Sequence, residues 1–473
     1  MSNDVLNEEV PSHTRKTYLS FSMYQLTWTI IVQTMGLYLY FYYHTKVGLD
    51  PTLIFIATFI NTFWAALNDP LIGYLTDRNF KWTRKWGRRF PWIAIGVIPW
   101  CFIIILVFSA PDATVNPWPA FIWLLLMLVI YDLFITLSDV HTNMLRADKF
   151  RSEIDRKKYS GYFGVFDMIA MALGTAVPPL LIFGEDKIFF TIMAAIVSVI
   201  ALVCAIIFLL FGAREDKIII DRYYSREYER FKFLAGIKEV LKQKSFIGFW
   251  LGGIGWGVAT TMMTAMVAYV TTFVLNVPEE IMTILLALFI FGAIVSVPFW
   301  LRIYKKNGDA KKTYLIGGTA MCIALIPLTF FVSIVDLAVF MFITGFTMGC
   351  VWSIQIAVVF SHVQDDYVVR TGRNQKGLLI GAWAVLGLLT AFVDELIFAI
   401  VFGITGFKGG IETYIDLLNS GADYRAVSWG IRMLVGVIPM LIMALGTYGF
   451  WIIYPLTKEK VEENKAKLLE LGF

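Results

Sequence analysis

Four oxygen-bearing side chains recur at helical spacing within one apolar block of the sequence. Separated by four, three and four residues, they are Asp132, Thr136, Asp139 and Asn143. Residues at that spacing lie on one face of a helix. If the block crosses a membrane, each ionisable member costs at least about 2.5–3.5 kcal/mol there, which makes it a candidate for function. We therefore expect this stripe to point away from lipid.

An earlier apolar block adds a further carboxylate, Asp69, with Asn68 beside it. Carboxylates from two neighbouring helices, with Asn68 and Thr136 as neutral oxygen donors, suit a hard cation such as Na⁺. They suit one shared proton equally well, because two crowded carboxylates in a low dielectric do not both remain ionised. A hydrogen-bonded structural cluster is the alternative interpretation. We predict that Asp69, Asp139, Asn68 and Thr136 bind a coupling cation, H⁺ or Na⁺, and that no other metal and no cofactor is needed.

The composition indicates which elements carry these residues. Of the 473 residues, 58% are hydrophobic and only 16% are charged, whereas soluble domains average roughly 25% charged residues. The mean hydropathy is +0.69. A water-soluble enzyme of this length would have too few charged residues to cover its surface. The four cysteines lie inside apolar blocks, which predicts small buried side chains rather than disulfides or metal ligands. The chain is predicted to be a polytopic membrane protein.

Twelve apolar blocks are long enough to cross a hydrocarbon core of about 30 Å as helices. They lack the polar/apolar alternation of barrel strands, so each span is expected to be an α-helix. A short solvated tail helix is expected after the last span. The predicted spans are residues 17–43, 50–76, 90–110, 119–145, 161–184, 188–212, 246–275, 280–301, 313–333, 335–361, 377–406 and 426–455.

The basic residues orient these spans. With both termini inside, 35 of the 40 lysines and arginines fall on the cytoplasmic side, as the positive-inside rule requires. The chain is therefore predicted to lie in the cell membrane with both termini cytoplasmic. The net charge of +4 is explained by topology, so no nucleic-acid partner is expected.

The longest internal polar stretch, residues 213–245, separates six spans from six. It divides the chain into an N-terminal half, 1–212, and a C-terminal half, 246–455, before a cytoplasmic tail, 456–473. The loops after spans 2 and 8 are both basic and both contain glycine. Two six-helix halves with matching loops resemble the major facilitator superfamily, whose halves rock about a midplane site. The resemblance implies an all-α fold of twelve transmembrane helices.

The segment from Asn68 to Arg78, continued by Trp86 to Trp92, resembles the signature of the glycoside–pentoside–hexuronide:cation symporter family, of which melibiose permease is a member. Near span 10, residues 366–373 resemble the second family motif, although Lys376 stands where the family usually has Glu. The resemblance covers essentially the whole chain. Together with the repeated basic loops, it predicts cytoplasmic gating by Gly73, Asp77, Arg78, Arg84, Arg88, Asp366 and Arg373.

The same resemblance places Asn68, Asp69, Thr136 and Asp139 at cation-site positions of the family. One family carboxylate is missing, because Ala65 stands one turn before Asp69, and its loss favours a proton over Na⁺. The residues with which melibiose transporters contact their sugar are not retained. In their places are Thr29, Asn143, residues 161–164 and Leu389.

Other residues could contact a substrate instead. In span 1, Gln25, Thr29 and Gln33 repeat every four residues and form a neutral hydrogen-bonding stripe. Aromatic faces with amide and hydroxyl edges fit a polyol or a sugar ring, although any single tryptophan of so aromatic a chain is also readily explained by packing. The predicted substrate contacts are Gln25, Trp28, Thr29, Asp132, Asn143, Trp352, Gln355 and Trp383. Further candidates are Asp167, His362, Asp394 and Glu395, the last two alternatively lying near the outer surface.

The sequence thus predicts a secondary active symporter that couples H⁺ or Na⁺ to uptake of a sugar, glycoside or related polar solute by alternating access. A cation-coupled carrier of lysolipids or other amphiphiles is the alternative, because a lysolipid-transporting branch resembles the same family. An enzyme is disfavoured, since metal-ligand spacing and a nucleophile–base pair are missing, and the absence of GxxxxGK[ST] disfavours a primary pump. The expected partners are a small-molecule substrate, the cation and lipid, and the protein is expected to be a monomer.

Overall fold

A computed structural model of the chain describes residues 13–76, 80–150, 153–182, 186–225, 238–278, 280–372 and 376–470. Within these ranges the side chains at 69, 70, 73, 74, 153, 156, 157, 222–225, 376, 377, 380, 384–386 and 469 lie outside the described part. The described chain is helical and contains no strand, as predicted.

The helices follow one another with short connections. In chain order they are α1 (Arg15–Phe41), α2 (Pro51–Thr76), α3 (Thr83–Trp86), α4 (Phe90–Val107), α5 (Pro117–Lys149), α6 (Glu153–Leu180), α7 (Ile188–Ile207), α8 (Lys217–Ser225), α9 (Lys244–Tyr269), α10 (Glu280–Asn307), α11 (Ala310–Leu325), α12 (Ile334–Cys350), α13 (Phe360–Thr371), α14 (Lys376–Thr405), α15 (Tyr414–Asn419), α16 (Tyr424–Val435), α17 (Val437–Ile453) and α18 (Lys458–Glu470). Four segments widen to π-helix: Tyr42–Lys46, Phe208–Gly212, Val270–Leu275 and Val351–Val359.

Eleven helical segments of the described chain are long and apolar enough to cross a membrane. The remaining span is α1, whose 27 residues rise about 40 Å and whose Ser, Thr and Gln side chains lower its hydropathy. The predicted twelve-span, all-helical architecture is confirmed. The solvated tail helix is present as α18.

Local signals explain where several helices begin and end. Asp309 caps α11 by accepting the backbone N–H of Lys312 at 3.0 Å, which satisfies one of the donors left over at a helix N-terminus. Ser333 and Asp336 form a reciprocal capping box at the start of α12. The predicted last span is interrupted at Gly436, so it forms two consecutive helices, α16 and α17.

The described residues belong to two compact units. The first unit lies within Met1–Met35, Phe63–Pro111 and Ile122–Arg230, and the second within Gly36–Thr62, Asp112–Phe121 and Phe231–Phe473. Part of the predicted 213–245 linker lies outside the described residues, and the division of the chain at that linker stays a prediction.

Close helix packing in the second unit depends on glycine. A Cβ added at Gly255 of α9 would lie 2.9 Å from the Cα of Gly446 on α17, and one at Gly446 would lie 2.6 Å from the Cα of Gly255. Side chains at either position would force these helices apart. Small residues that let backbones approach are typical of membrane interfaces, where lipid competes for apolar contact.

Candidate functional site

In the first unit, the amide of Asn68 on α2 joins the carboxylate of Asp132 on α5. Asn68 Nδ2 donates to Asp132 Oδ2 at 3.0 Å and to the Asp132 carbonyl oxygen at 3.3 Å. The Asn68 side chain is 1% exposed, and its Oδ1 has no hydrogen-bond partner among the described residues. A buried oxygen without a donor is costly, so this atom would gain from a bound cation or proton.

The carboxylate of Asp139 lies further along the same helix. Its Oδ2 accepts from Asn143 Nδ2 at 2.9 Å, and its Oδ1 accepts from the hydroxyl of Tyr24 on α1 at 3.3 Å. Tyr24 also donates to Ser138 at 3.3 Å, and Thr136 is buried. Residue spacing does not indicate Tyr24, because only the packing of α1 against α5 brings it to Asp139.

These contacts separate two of the residues predicted to bind the coupling cation, Asn68 and Asp139. Asp132 and Asp139 are seven residues apart, which is about 10 Å along a helix. Asn68 therefore pairs with Asp132, which the sequence analysis assigned to substrate, while Asp139 is held by Asn143 and Tyr24. The backbone of Asp69 is part of α2, but its side chain lies outside the described part, and its role stays a prediction.

Ala65, where the family carboxylate is missing, is buried on α2 at 2% exposure. Asn68, three residues further along α2, and Asp132 supply described side-chain oxygen atoms in this part of the first unit. Carboxylate, amide and hydroxyl oxygens are the donors that hard cations prefer. The donor chemistry of the first unit fits a cation or a proton.

A second polar group of the first unit joins α1 to α6. Gln25 Nε2 and Thr29 Oγ1 both donate to Asp167 Oδ1 at 2.8 Å, and Gln25 also donates to Thr29 at 3.0 Å. Within the described residues, Asp167 has no cationic partner. The half-buried Trp28 lies on the same face of α1 as Gln25, three residues away. The predicted span-1 stripe is thus organised around a carboxylate rather than around neutral groups alone.

In the second unit, the predicted contacts Gln355 and Trp352 lie on the π segment Val351–Val359. Gln355 is fully buried, and its Nε2 donates to the carbonyl oxygen of Phe249 at 3.3 Å, whereas Oε1 has no partner among the described residues. Trp352 is half-buried. π segments often mark functional positions in helices.

The third predicted aromatic contact, Trp383 of α14, packs within the second unit. Its ring centroid lies 4.7 Å from that of Phe249. A Cβ at Gly253 of α9 would come within 2.2 Å of the Trp383 ring, so the ring lies directly on this glycine. Trp383 therefore contributes to packing between α9 and α14.

The loop after α2 is held by Glu215, a residue that no sequence motif indicated. The carboxylate of Glu215 accepts the backbone N–H groups of Arg88, Arg89 and Phe90 at 3.1, 2.5 and 3.0 Å. These N–H groups begin α4, where a negative charge is favoured by the helix dipole. Gly87 precedes them at φ +89°, and a Cβ there would lie 2.5 Å from the Glu215 carboxylate.

The predicted gating residues are only partly described. Arg84 is exposed and Arg88 is buried in the first unit. Gly73 is part of α2, whereas Asp77, Arg78 and Arg373 lie outside the described residues. Their gating roles stay predictions.

Asp366, the remaining predicted gating residue, joins three segments of the second unit. Its Oδ2 accepts from Gln243 Nε2 at 2.9 Å and from Ser245 Oγ at 2.6 Å, and its Oδ1 accepts from Asn464 Nδ2 at 3.1 Å. The carboxylate therefore connects the start of α9, the helix α13 and the tail helix α18.

Comparisons with known proteins agree with this architecture. A family model described as MFS/sugar transport protein matches residues 20–458. The sodium-dependent lysophosphatidylcholine symporter 1 of Xenopus tropicalis is 23% identical, with 92% of this chain and 86% of that protein covered. The lactose permease of Lactobacillus helveticus is 22% identical, with 85% of this chain and 63% of that protein covered.

A crystal structure of a bacterial homolog of the human lysosomal transporter Spinster, in an inward-facing and unoccupied conformation, shares the fold. It matches with a TM-score of 0.67 at 13% identity and covers 95% of this chain and 97% of that one. The predicted major facilitator fold is confirmed.

Proposed function

The chain belongs to the MFS/sugar transport protein family, and on that premise we propose that it is a sodium-coupled symporter of a zwitterionic lysophospholipid. It is a multi-pass integral membrane protein. The observation that carries the proposal is the pair of hydrogen-bonded polar groups in the first unit, Asn68–Asp132 and Gln25–Thr29–Asp167. One offers oxygen atoms to a cation, and the other offers a carboxylate to a positively charged part of a substrate.

Coupling to Na⁺ is supported by donor chemistry. The oxygen atoms of Asp132 and Asp139, with those of Asn68 and Thr136, lie on helices that cross the membrane, where an unneutralised carboxylate is costly. Relatives that match 92% or more of the chain are named as sodium-dependent symporters. The missing carboxylate at Ala65 makes H⁺ the competing ion.

A zwitterionic substrate is supported by Asp167. Its carboxylate accepts two neutral hydrogen bonds at 2.8 Å and has no cationic partner in the described chain, so its charge is left for a ligand to neutralise. Trp28 lies on the same face of α1, and an aromatic face beside a carboxylate suits a quaternary ammonium group. Lysophosphatidylcholine carries such a group together with a single acyl chain.

A sugar substrate is the second candidate, and the second unit supports it. The unpartnered Gln355 Oε1 and the half-buried Trp352 offer a polar edge beside an aromatic face, which is the combination that binds polyols. A neutral sugar can donate hydroxyl hydrogen bonds to Asp167 but leaves its charge unneutralised.

Uptake into proteoliposomes under separate Na⁺ and H⁺ gradients would test the proposal, with labelled lysophosphatidylcholine and lactose as the two substrates. We expect lysophosphatidylcholine to accumulate when Na⁺ is directed inward and lactose not to accumulate. Asp167→Asn should reduce lysophosphatidylcholine uptake, and the exposed Asp416→Asn is the matched control. Accumulation of lactose alone would contradict the substrate class, and accumulation driven by H⁺ alone would contradict sodium coupling.

A further inference from the structure

Two adjacent carboxyl groups lie at the middle of α14, in the second unit. Asp394 and Glu395 are each about 11 residues from the end of the spanning segment Gly381–Thr405, which is about 17 Å at 1.5 Å per residue. Asp394 is 6% exposed. This position near the middle of an apolar segment, together with the burial of Asp394, favours membrane depth over the alternative expectation that the pair lies near the outer surface.

The pair has unsatisfied oxygen atoms. Asp394 Oδ2 accepts the hydroxyl of Thr261 on α9, but Asp394 Oδ1 and Glu395 Oε2 are buried without a hydrogen-bond partner among the described residues. Neither carboxyl forms an ion pair within that part of the chain. An ionised carboxylate without a partner is strongly disfavoured in such surroundings.

A third unpartnered group points to a ligand at this place. Tyr40 of α1 is 3% exposed, and its hydroxyl has no hydrogen-bond partner in the described chain. Its ring packs on Phe398 at a centroid distance of 4.9 Å, one turn from Glu395, and its hydroxyl is within electrostatic range of the Glu395 carboxyl. A proton on Glu395 would give this carboxyl group a donor beside the Tyr40 hydroxyl.

The geometry favours a proton over a metal cation. Adjacent residues on a helix point about 100° apart, so the two carboxyl groups do not converge on one small ion. A sodium ion needs several oxygen ligands, whereas a proton needs one.

We propose that Asp394 and Glu395 form a proton-binding site of the second unit, separate from the candidate cation site of the first. Thr261 hydrogen-bonds the Asp394 carboxyl, and Tyr40 lies beside the Glu395 carboxyl. The protonated pair is neutral, and release of its protons leaves charge at membrane depth. Such a site would make the second unit respond to pH without any contribution from Asn68 or Asp132.

The groups that face this site suggest how a proton reaches it. Tyr269 of α9 is within electrostatic range of Glu395 and donates to His44 Nδ1 at 3.0 Å, while His44 Nε2 donates to the carbonyl oxygen of Phe407 at 3.3 Å. Beyond His44, Lys46 pairs with the half-exposed Glu412 at 3.2 Å. The hydrogen-bonded pair of Tyr269 and His44 is therefore the candidate route for protons between Glu395 and the half-exposed Glu412.

Other charged groups of neighbouring elements act elsewhere or at longer range. Asp50 is within electrostatic range of Tyr40 and His44. From α16, which packs against α14, Arg432 donates to the carbonyl oxygens of Thr329 and Phe331 at 3.3 and 2.6 Å. These contacts leave the carboxyl pair without a neutralising cation.

Infrared difference spectroscopy of the full chain in nanodiscs tests the proposal without Na⁺ and without substrate. At neutral pH we expect a carbonyl stretching band of protonated carboxyl groups, lost as the pH is raised. Asp394→Asn and Glu395→Gln should each reduce this band, and the exposed Asp416→Asn should leave it unchanged. The alkaline titration of the unsubstituted protein provides the test even if a variant does not fold.

Two results would overturn the site. One is the absence of the protonated band at neutral pH, and the other is a band that both variants retain in full. Loss of the band on addition of Na⁺ would assign the site to sodium and would also contradict the proposal. Because neither substrate nor a sodium gradient is used, failure of the proposed symport function would leave this outcome unchanged.

The route through His44 has its own readout. Transfer to D₂O shifts the carbonyl band of a protonated carboxyl group as deuterium replaces hydrogen. His44→Gln should slow that shift at unchanged band size, and an unchanged rate would exclude His44 from the route.

Discussion

Gly87 provides a sharp test of how Glu215 holds the loop after α2. Its backbone lies at φ +89° and ψ 175°, a region that only glycine adopts readily. An alanine Cβ would also lie 2.5 Å from the Glu215 carboxylate. Gly87→Ala should therefore destabilise the protein for two separate reasons, one conformational and one steric.

The steric conflict with Glu215 costs more free energy of unfolding than the backbone strain does. Backbone strain of this kind costs on the order of 1–3 kcal/mol. Displacing Glu215 would additionally weaken its hydrogen bonds to three backbone N–H groups, and a bond to a charged group contributes about 1.5–3 kcal/mol. Since such bonds are not additive, we expect an excess of about 3 kcal/mol over strain alone. Gly421 is the matched control, because its φ is +76° and a Cβ there meets nothing within 4 Å.

The free energy of unfolding, measured by denaturant titration of the solubilised protein, should fall more for Gly87→Ala than for Gly421→Ala. In a Glu215→Ala background, the cost of Gly87→Ala should fall to that of the control, because the steric partner is gone. Equal costs for the two glycine substitutions, or an unchanged cost in the Glu215→Ala background, would refute this account of the loop.

Three further predictions concern the site, the tail and the topology. Asn68→Ala removes the amide donor to Asp132 and should lower the free energy of unfolding by about 1–3 kcal/mol while weakening stabilisation by Na⁺; a Na⁺ response equal to that of the unsubstituted protein would contradict the assignment. Asp366→Asn weakens the contact with Asn464, so amide hydrogen exchange over residues 458–470 should accelerate, and unchanged exchange would show that other contacts hold the tail. Tags at both termini and a cysteine introduced at 220 should react only from the cytoplasmic side, and extracellular labelling would contradict the orientation.

The fold was predictable because its signal is local. A run of about 20 apolar residues identifies a spanning helix without knowledge of its neighbours. The helix boundaries followed from Pro, Gly and charged residues at their ends. The break at Gly436 was not predicted, although Gly436 followed by Pro439 is a pattern that favours the interruption of a helix.

The site was harder to predict because its contacts are tertiary. The stripe on α5 could be recognised from spacing, and Asp139 does bond Asn143 one turn away. The pairing of Asn68 with Asp132, however, depends on the rotation of α2 against α5, which the sequence does not specify. Glu215 lies in a stretch rich in charge, where no pattern distinguishes a structural carboxylate from a solvated one.

Sodium-driven accumulation in proteoliposomes tests the central claim most directly. The initial rate and the final level of labelled lysophosphatidylcholine uptake would be measured with an inward Na⁺ gradient, for the unsubstituted protein, for Asp132→Asn and for the exposed control Asp416→Asn. We expect Asp132→Asn to abolish accumulation above equilibrium while allowing downhill exchange, and Asp416→Asn to behave as the unsubstituted protein. Full sodium-driven accumulation by Asp132→Asn would contradict the cation site at Asn68 and Asp132.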